Sequence, residues 1–407
     1  MPATHHAHGR MPWMMVVAAT LIIAITMGGR QVTGLFVAPL DASTGLGIVA
    51  VSFAIAVGQF MWGLAQPIFG ALADRYGPGK VIATGGVMIA AGMALTPLAS
   101  SEWVLILSLG VLSAAGAGAG SLTILIGAVS RAIPVERRTL AVSLISSGGS
   151  LGQIVFAPLT QLLITAFGWV SAMLVLAATA LATLPLAWPL RRREPAPSAT
   201  AQLAAEDIGF RAQLRTAFGD ASYWWLLLGF STCGFHVAFL VTHMPGEVQL
   251  CGLSASVAAT SIGLIGIANL IGTLGCGWLS TRYPLKSILF WIYLSRAVIL
   301  ALYLMAPKTE LTFYVFSIAL GLTWLANVPA TAGLVGKLFG TRYLSTLFGI
   351  AMLSHQVGAF FGAWLGGYAM ARYGDYSWMF IADGLLALMA AIATVPVREA
   401  RVIRAVA

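Results

Sequence analysis

Charge is scarce in this 407-residue chain: 9% of the residues are Asp, Glu, Lys or Arg, where an ordinary soluble domain carries about 25%. That shortage excludes a soluble fold. Cysteine is scarce as well. Cys233, Cys251 and Cys276 fall in or beside apolar runs at no metal-ligand spacing, so neither a disulfide framework nor a zinc site is supported and the three read as packing residues. No paired nucleophile and base, phosphate loop or soluble catalytic segment is present, so an enzyme is not expected and no cofactor or metal is called for. The cluster His5, His6 and His8 reads as a polar tail. The opening MPATHHAHGR and the apolar run behind it imitate a secretory signal, but no small-residue cleavage site follows, and the run is kept as a span.

What fills the chain instead is hydrocarbon-like sequence, 59% of it hydrophobic. Apolar runs of roughly 20 residues, each able to cross about 30 Å of bilayer core, recur from end to end with short polar breaks. About twelve such spans are expected, over 13–37, 48–72, 81–99, 104–129, 140–165, 169–190, 222–243, 254–279, 287–306, 311–336, 342–367 and 376–397.

The formal charge of +9 invites a nucleic-acid reading, but the positions of the cations answer it. Numbering the breaks from the N-terminus, Lys308 and Arg372 fall on the odd side, Arg30 and Arg296 lie within spans, and every other Lys and Arg is on the even side. By the positive-inside rule the even side, with both termini, is cytoplasmic. The basic balance reports orientation, and no nucleic-acid partner is needed.

Residues 191 to 215, RRREPAPSATAQLAAEDIGFRAQLR, form the longest polar segment and the only one rich in Pro, Ala and charge. It reads as a linker between two halves. Six spans on each side imply an all-α membrane protein of two six-helix bundles, 1–190 and 222–407, joined by a cytoplasmic linker over 191–221. A repeat supports the division. The stretch Gly277-Trp-Leu-Ser-Thr-Arg-Tyr283 matches Gly70-Ala-Leu-Ala-Asp-Arg-Tyr76 at Gly, Leu, Arg and Tyr, in the same place of each half, with Lys286 following and Thr281 where Asp74 stood.

With GALADRYGPGK (residues 70–80) between its second and third spans, the chain resembles the major facilitator superfamily of transporters along its full length. The resemblance implies alternating access, a central cavity lined by helices 1, 4, 7 and 10, and a cytoplasmic gate. Gly70, Asp74, Arg75, Gly77, Lys80 and Arg282 are the expected gate residues. There Gly70 would let two backbones approach, and Asp74 would sit against the positive N-terminus of the eleventh helix, near Arg342.

Ionisable groups at membrane depth are costly and mark function by default. Arg30 in span 1 is the only cation in a helix expected to line the cavity, and its setting MGGRQVTG places Gln31 and Thr33 beside a guanidinium suited to bidentate carboxylate binding. Substrate contact and a structural or snorkelling role both stay open for it. Arg296 and Asp383, on peripheral helices, read as structural or conformational. His236 and His243 lie seven residues apart on one face of span 7, and His355, next to Gln356, lies in span 11. For His236 and His355 the open readings are a proton carrier and a neutral hydrogen-bonded imidazole. The remaining candidate substrate contacts are Gln59, Ser121, Gln153, Asn269 and Asn327.

GGRQVTGLF, FGALADRYGPGK and GGSLGQ (148–153) are most similar to the bacterial monocarboxylate-transporter-like branch that includes oxalate/formate exchangers. The pattern departs in helix eight. Where that branch carries a carboxylate-binding Arg four residues after Asn269 and four before Gly277, this chain has Thr273, so either Arg30 replaces it or the substrate differs. The expected function is uptake of a small organic anion, a monocarboxylate, with proton symport or anion exchange, by a monomer in the inner membrane among its lipids. The competing reading is proton-coupled efflux of drugs or metabolites. Cation exporters need buried acids, and spans 1 to 11 as bounded above contain none.

Overall fold

The computed structural model describes residues 6–130, 135–191, 210–340 and 344–399, and among them every regular element is helical. In hydrocarbon no water satisfies a free backbone group, so a spanning chain must close its hydrogen bonds within each segment. The helices are α1 (His6–Gln31), α2 (Val37–Thr44), α3 (Ile48–Tyr76), α4 (Pro78–Leu95), α5 (Glu102–Leu105), α6 (Ala114–Ala119), α7 (Leu122–Ser130), α8 (Val135–Leu181) and α9 (Thr183–Leu186). After them come α10 (Phe210–Phe218), α11 (Ala221–Leu250), α12 (Ala255–Leu279), α13 (Leu285–Met305), α14 (Glu310–Gly321), α15 (Asn327–Phe339), α16 (Leu344–Tyr373) and α17 (Ser377–Thr394).

Among the described residues, 10 helical stretches are long and apolar enough to cross a membrane, where the sequence suggested about twelve. Two places account for the difference. The fifth and sixth expected spans run together in α8, with Gly168 (φ 81°) the one residue of non-helical geometry between them. The tenth is split into α14 and α15 by a turn over 322–326. Pro329 explains that split, because its ring excludes the carbonyl four residues back, that of Leu325, and its nitrogen has no hydrogen to donate.

The fourth expected span is broken too. A π-helical stretch, Ile106–Ser113, joins α5 to α6, and the helix is interrupted at Gly120 and Ser121 before α7 begins. The first span breaks after Gln31 and continues through a 3-10 turn, Thr33–Phe36, into α2. The segment expected as linker also gains structure, since its last third forms α10 and the Gln213 amide donates to the Phe339 carbonyl at 2.8 Å.

Apolar packing divides into four clusters. One lies around Ile22, Val81 and Leu125, two lie around Tyr223, Leu289 and Leu334 and around Phe239, Phe313 and Phe380, and the fourth, around Val51, Leu105 and Phe156, also takes in Ala238, Ile262, Ala359 and Ala363 from α11, α12 and α16. Small residues let helices touch backbone to backbone, the association mode that works where hydrophobic force between helices is absent. A Cβ on Gly148 or Gly152 of α8 would run into the Thr20 or Ala24 carbonyl of α1, and one on Gly234 of α11 into the His355 carbonyl of α16.

Candidate functional site

Arg30 stands in the last turn of α1, where the helix dipole favours a cation. Its carbonyl accepts the Thr33 hydroxyl at 2.9 Å, which closes the frayed helix end. Two groups of α3 hold the guanidinium: Gln59, whose Oε1 accepts from Nη2, and the ring of Trp62, 4.2 Å from the guanidinium carbon. Neither carries charge. Among the described residues no carboxylate pairs with Arg30. The side chain borders a cavity of about 40 Å³ lined also by Thr26, Thr33, Gln59, Ser113 and Phe156, room for roughly three water-sized groups. A fixed cation, an amide and hydroxyls around so small a space can hold a group of carboxylate size.

Next to Arg30, Gln31 donates through Nε2 to Gln153 Oε1 at 3.4 Å, and the glycines of GGSLGQ make this possible by drawing α8 against α1. Asn269 joins the same region from the other half of the chain, donating from Nδ2 to Ser150 Oγ at 3.1 Å. Thr273, at the position of the missing arginine, donates to Asn269 Oδ1 at 3.3 Å. Gln356 lies against α3, since a Cβ on Gly63, one residue past Trp62, would meet its side chain; its Nε2 is 3.2 Å from Nδ1 of His355, whose ring packs 5.0 Å from that of Phe230 on α11. Trp62 Nε1, Ser121 Oγ, Gln153 Nε2 and Gln356 Oε1 are buried with no protein partner, and each such atom in a native interior asks for an explanation.

His236 and Asn327 lie elsewhere, inside the second half. Nδ1 of His236 is 2.6 Å from Asp383 Oδ2 on α17, and Asn327 donates from Nδ2 to the Tyr293 hydroxyl at 3.2 Å. His243 shares a face with His236 by spacing but has a different neighbour, with Nε2 2.7 Å from the Ala363 carbonyl of α16. Between them the chain resolves the break in its tenth span. Arg296 donates from Nη2 to the carbonyls of Thr323 and Trp324, the latter at 2.7 Å, while Asn269 Oδ1 accepts the Leu325 N–H at 3.0 Å. Sequence reasoning did not connect Arg296 and Asn269 through this turn, although Pro329 was the signal that a turn had to be there.

One expectation about acids is corrected. The seventh span extends beyond 243, because α11 runs to Leu250, and so Glu247 lies within it and is buried. Tyr303 donates its hydroxyl to Glu247 Oε1 at 2.7 Å, which makes that burial tolerable.

In the signature loop, Gly77 caps both helices with φ 92°, a conformation that favours glycine, and Pro78 starts α4 at the position where a missing N–H costs nothing. Arg75 and Arg282 stack on the rings of their neighbours Tyr76 and Trp278, at 5.3 and 4.2 Å, and Lys80 is exposed. The side chain of Asp74 and all of Arg342 lie outside the described residues. The close backbone approach expected at Gly70 is not made in this conformation by the described residues: among them a Cβ there would meet nothing within 4 Å, and the same holds for Gly277 and Gly349. The opposite ends of α3 and α16 are tight, and so is the turn after α1 against α11. A Cβ on Gly34 would overlap the Val241 carbonyl, one on Gly367 would overlap Ser52, and Phe53 packs edge-on against Phe360 and Trp364, both at 5.8 Å. α3 and α16 thus meet at the ends that the sequence reading places on the odd side, while among the described residues their Gly70 and Gly349 ends make no such contact.

Long apolar helices, some of them interrupted, with buried polar atoms between them describe a membrane protein with a polar interior. The Major Facilitator Superfamily matches residues 19–325, and the chain belongs to that family. Among its relatives are monocarboxylate transporter 13 of Rattus norvegicus, 28% identical over 97% of this chain and 91% of that one, and the MFS-type transporter YcxA of Bacillus subtilis, 24% identical over 88% of each. The expected likeness to the monocarboxylate-transporter-like branch is thereby met. Among solved structures, a D-xylose–proton symporter superposes with a TM-score of 0.74 at 16% identity, covering 95% of this chain and 98% of the other. Family and relatives are transporters, not enzymes.

Proposed function

We propose that this chain carries a small organic anion, a monocarboxylate, across the inner membrane by alternating access, as a monomer. The observation behind this reading is Arg30: a guanidinium on an apolar helix, bordering a cavity, with a neutral amide and a ring beside it and no carboxylate paired with it among the described residues. A buried cation without a counter-ion is expensive, and an anionic substrate supplies one. With Thr273 at the place of the branch's arginine, Arg30 is the residue that takes over carboxylate binding in this reading. The names of the rat and bovine relatives, monocarboxylate transporters, agree with the anion.

In this reading Gly168 is the hairpin between a fifth and a sixth span, and α14 with α15 is one interrupted span, which gives twelve spans, two bundles of six, and cytoplasmic termini. The conformation with parted even-side ends is then open to the cytoplasm. Gln31, Gln59, Ser121, Gln153, Asn269 and His355 complete the substrate path, and Gly70, Asp74, Arg75, Gly77, Lys80 and Arg282 form the cytoplasmic gate when those ends close. Export of cations is the weaker reading, because Glu247 is engaged by Tyr303 and does not border the Arg30 cavity.

The test is a thermal-shift screen of the purified protein against formate, acetate, lactate, pyruvate, oxalate and a set of lipophilic cations. A ligand that binds only the folded state raises the melting temperature. Small carboxylates should do so; a shift with the cations alone would reverse the assignment.

A further inference from the structure

The segment expected as a plain linker ends in a helix with two unlike faces. On α10, Gln213 and Ala217 are buried: the Gln213 amide reaches the Phe339 carbonyl at the end of α15, and Ala217 packs in the cluster around Tyr223 and Leu334. These contacts keep α10 against the end of the bundle. Arg211, Arg215 and Phe218 are exposed, and spacings of four and three residues put them together on the outer face of the helix.

That face runs on into the apolar surface of α11. The Phe218 ring lies 5.6 Å from that of Trp224, whose Nε1 donates to the Phe218 carbonyl at 2.9 Å. Trp224, Trp225 and Leu228 are exposed in the first turns of a helix long and apolar enough to cross a membrane, so a bilayer around that helix covers them. Tryptophan at the end of a span settles at the level of the lipid headgroups. Phe218 then stands at the boundary of the hydrocarbon, with Arg215 and Arg211 one and two turns back along α10.

The charges of these two arginines are uncommitted. Among the described residues neither has a carboxylate or a ring as partner, whereas Arg191 and Arg282, also in even breaks, lie over the rings of Trp188 and Trp278 at 3.8 and 4.2 Å. Asp220, the nearest described acid along the chain, is buried and accepts the Ser222 N–H at 2.7 Å, so its charge caps α11.

We propose that α10 and the start of α11 form a binding site for an anionic phospholipid, in which Arg211 and Arg215 hold the phosphate and Phe218, Trp224 and Trp225 lie along the acyl chains. Two guanidiniums a turn apart can each give paired N–H groups to phosphate oxygens. A lipid matches both parts of the surface, its cations and its aromatic hydrocarbon. Free phosphate matches only the first. The proposal requires that α11 span a bilayer, and it is independent of what the carrier transports.

The test reads tryptophan emission and uses no cargo, so its failure would leave the anion reading of Arg30 standing. The protein is placed in phosphatidylcholine vesicles in which about one lipid in ten is phosphatidylglycerol brominated on its acyl chains. The share of emission that disappears in Trp224→Phe should be quenched more strongly there than with brominated phosphatidylcholine as tracer. Each arginine beside an anionic headgroup is worth about fivefold in affinity, so Arg211→Gln combined with Arg215→Gln should lower the preference for phosphatidylglycerol by up to about 25-fold. Salt at about 1 M should weaken it in the wild type. No preference in the wild type, or an undiminished one in the double variant, would overturn the proposal. Displacement of the brominated lipid by inorganic phosphate alone would do the same, since it would mark a site for the free anion. Should Trp224 contribute too little emission to resolve, native mass spectrometry decides: the wild type should retain more phosphatidylglycerol than the double variant, and equal retention would overturn the site.

Discussion

Arg30 and Arg296 are the two arginines placed within expected spans, one in each half, and the structure treats them differently. Arg296 is 1% exposed and bound to two backbone carbonyls and the Thr323 hydroxyl, all at a helix break. Arg30 has one amide and one aromatic face, and borders open space. An arginine that gives Nε and Nη2 to a helix break repairs the fold, even though its buried Nη1 has no partner among the described residues. One left with donors beside a cavity is available to a ligand. Depth in the membrane does not distinguish the two; the partner list does.

Substitution should separate them sharply. Arg296→Ala leaves the Thr323 and Trp324 carbonyls unsatisfied in a dry interior, at about 1–3 kcal/mol for each group, and should be the most damaging change, read as a large fall in melting temperature or loss of monodisperse protein. Arg30→Gln should shift stability by less than about 1 kcal/mol. Equal losses for the two would erase the distinction.

A second comparison sets the two ends of the helix pairs against each other. Gly34→Ala forces a methyl into the Val241 carbonyl, an overpacking that typically costs about 1–3 kcal/mol. It should pry open the odd-side contact, so that a cysteine at Ser52 reacts faster with an impermeant thiol reagent added from that side. Gly70→Ala, with nothing within 4 Å, should leave this conformation intact and hinder the opposite one. Labelling rates that are the same in both variants would mean that the glycines do not gate.

The smallest effect belongs to Glu399. Pro284 cannot cap α13 with its side chain, and Glu399 does so from beyond α17, accepting the N–H groups of Leu285 and Lys286 at 3.0 and 3.2 Å and the Lys337 ammonium at 2.7 Å. Burial alone would raise its carboxyl pKa, but these donors outweigh burial and hold it below the ordinary 4.5. A lowered carboxyl pKa stabilises the fold above the ordinary value, and that contribution is lost as pH falls through the folded value. Glu399→Gln should therefore cost about 1 kcal/mol at pH 7, as caps do, and the gap from wild type should close below about pH 4. A gap that persists in acid would show that the charge is not what caps the helix.

The sequence revealed the spans because a twenty-residue apolar run has few other uses, and it revealed the repeat because Gly, Leu, Arg and Tyr recur in register at 277–283. Arg30, Gln31, Gln59 and Gln153, read from the sequence as candidate substrate contacts, come together where α1 meets α3 and α8. Pairings across helices were harder. Nothing in the spacing says that His236 looks to Asp383 while His243, two turns on, looks to the Ala363 carbonyl. Glu247 was missed by an end effect, because apolarity declines before α11 stops. The break between α14 and α15 was written in Pro329, but the residues that satisfy it come from α12 and α13 and could be found only in three dimensions.

Calorimetry on Arg30 tests the account most directly. With the carboxylate that stabilises the wild type best, Arg30→Lys should weaken binding strongly, because an ammonium lacks the planar fork, and Arg30→Gln should abolish it while the protein stays monodisperse and its melting temperature holds. Wild-type affinity in Arg30→Gln would contradict the anion site.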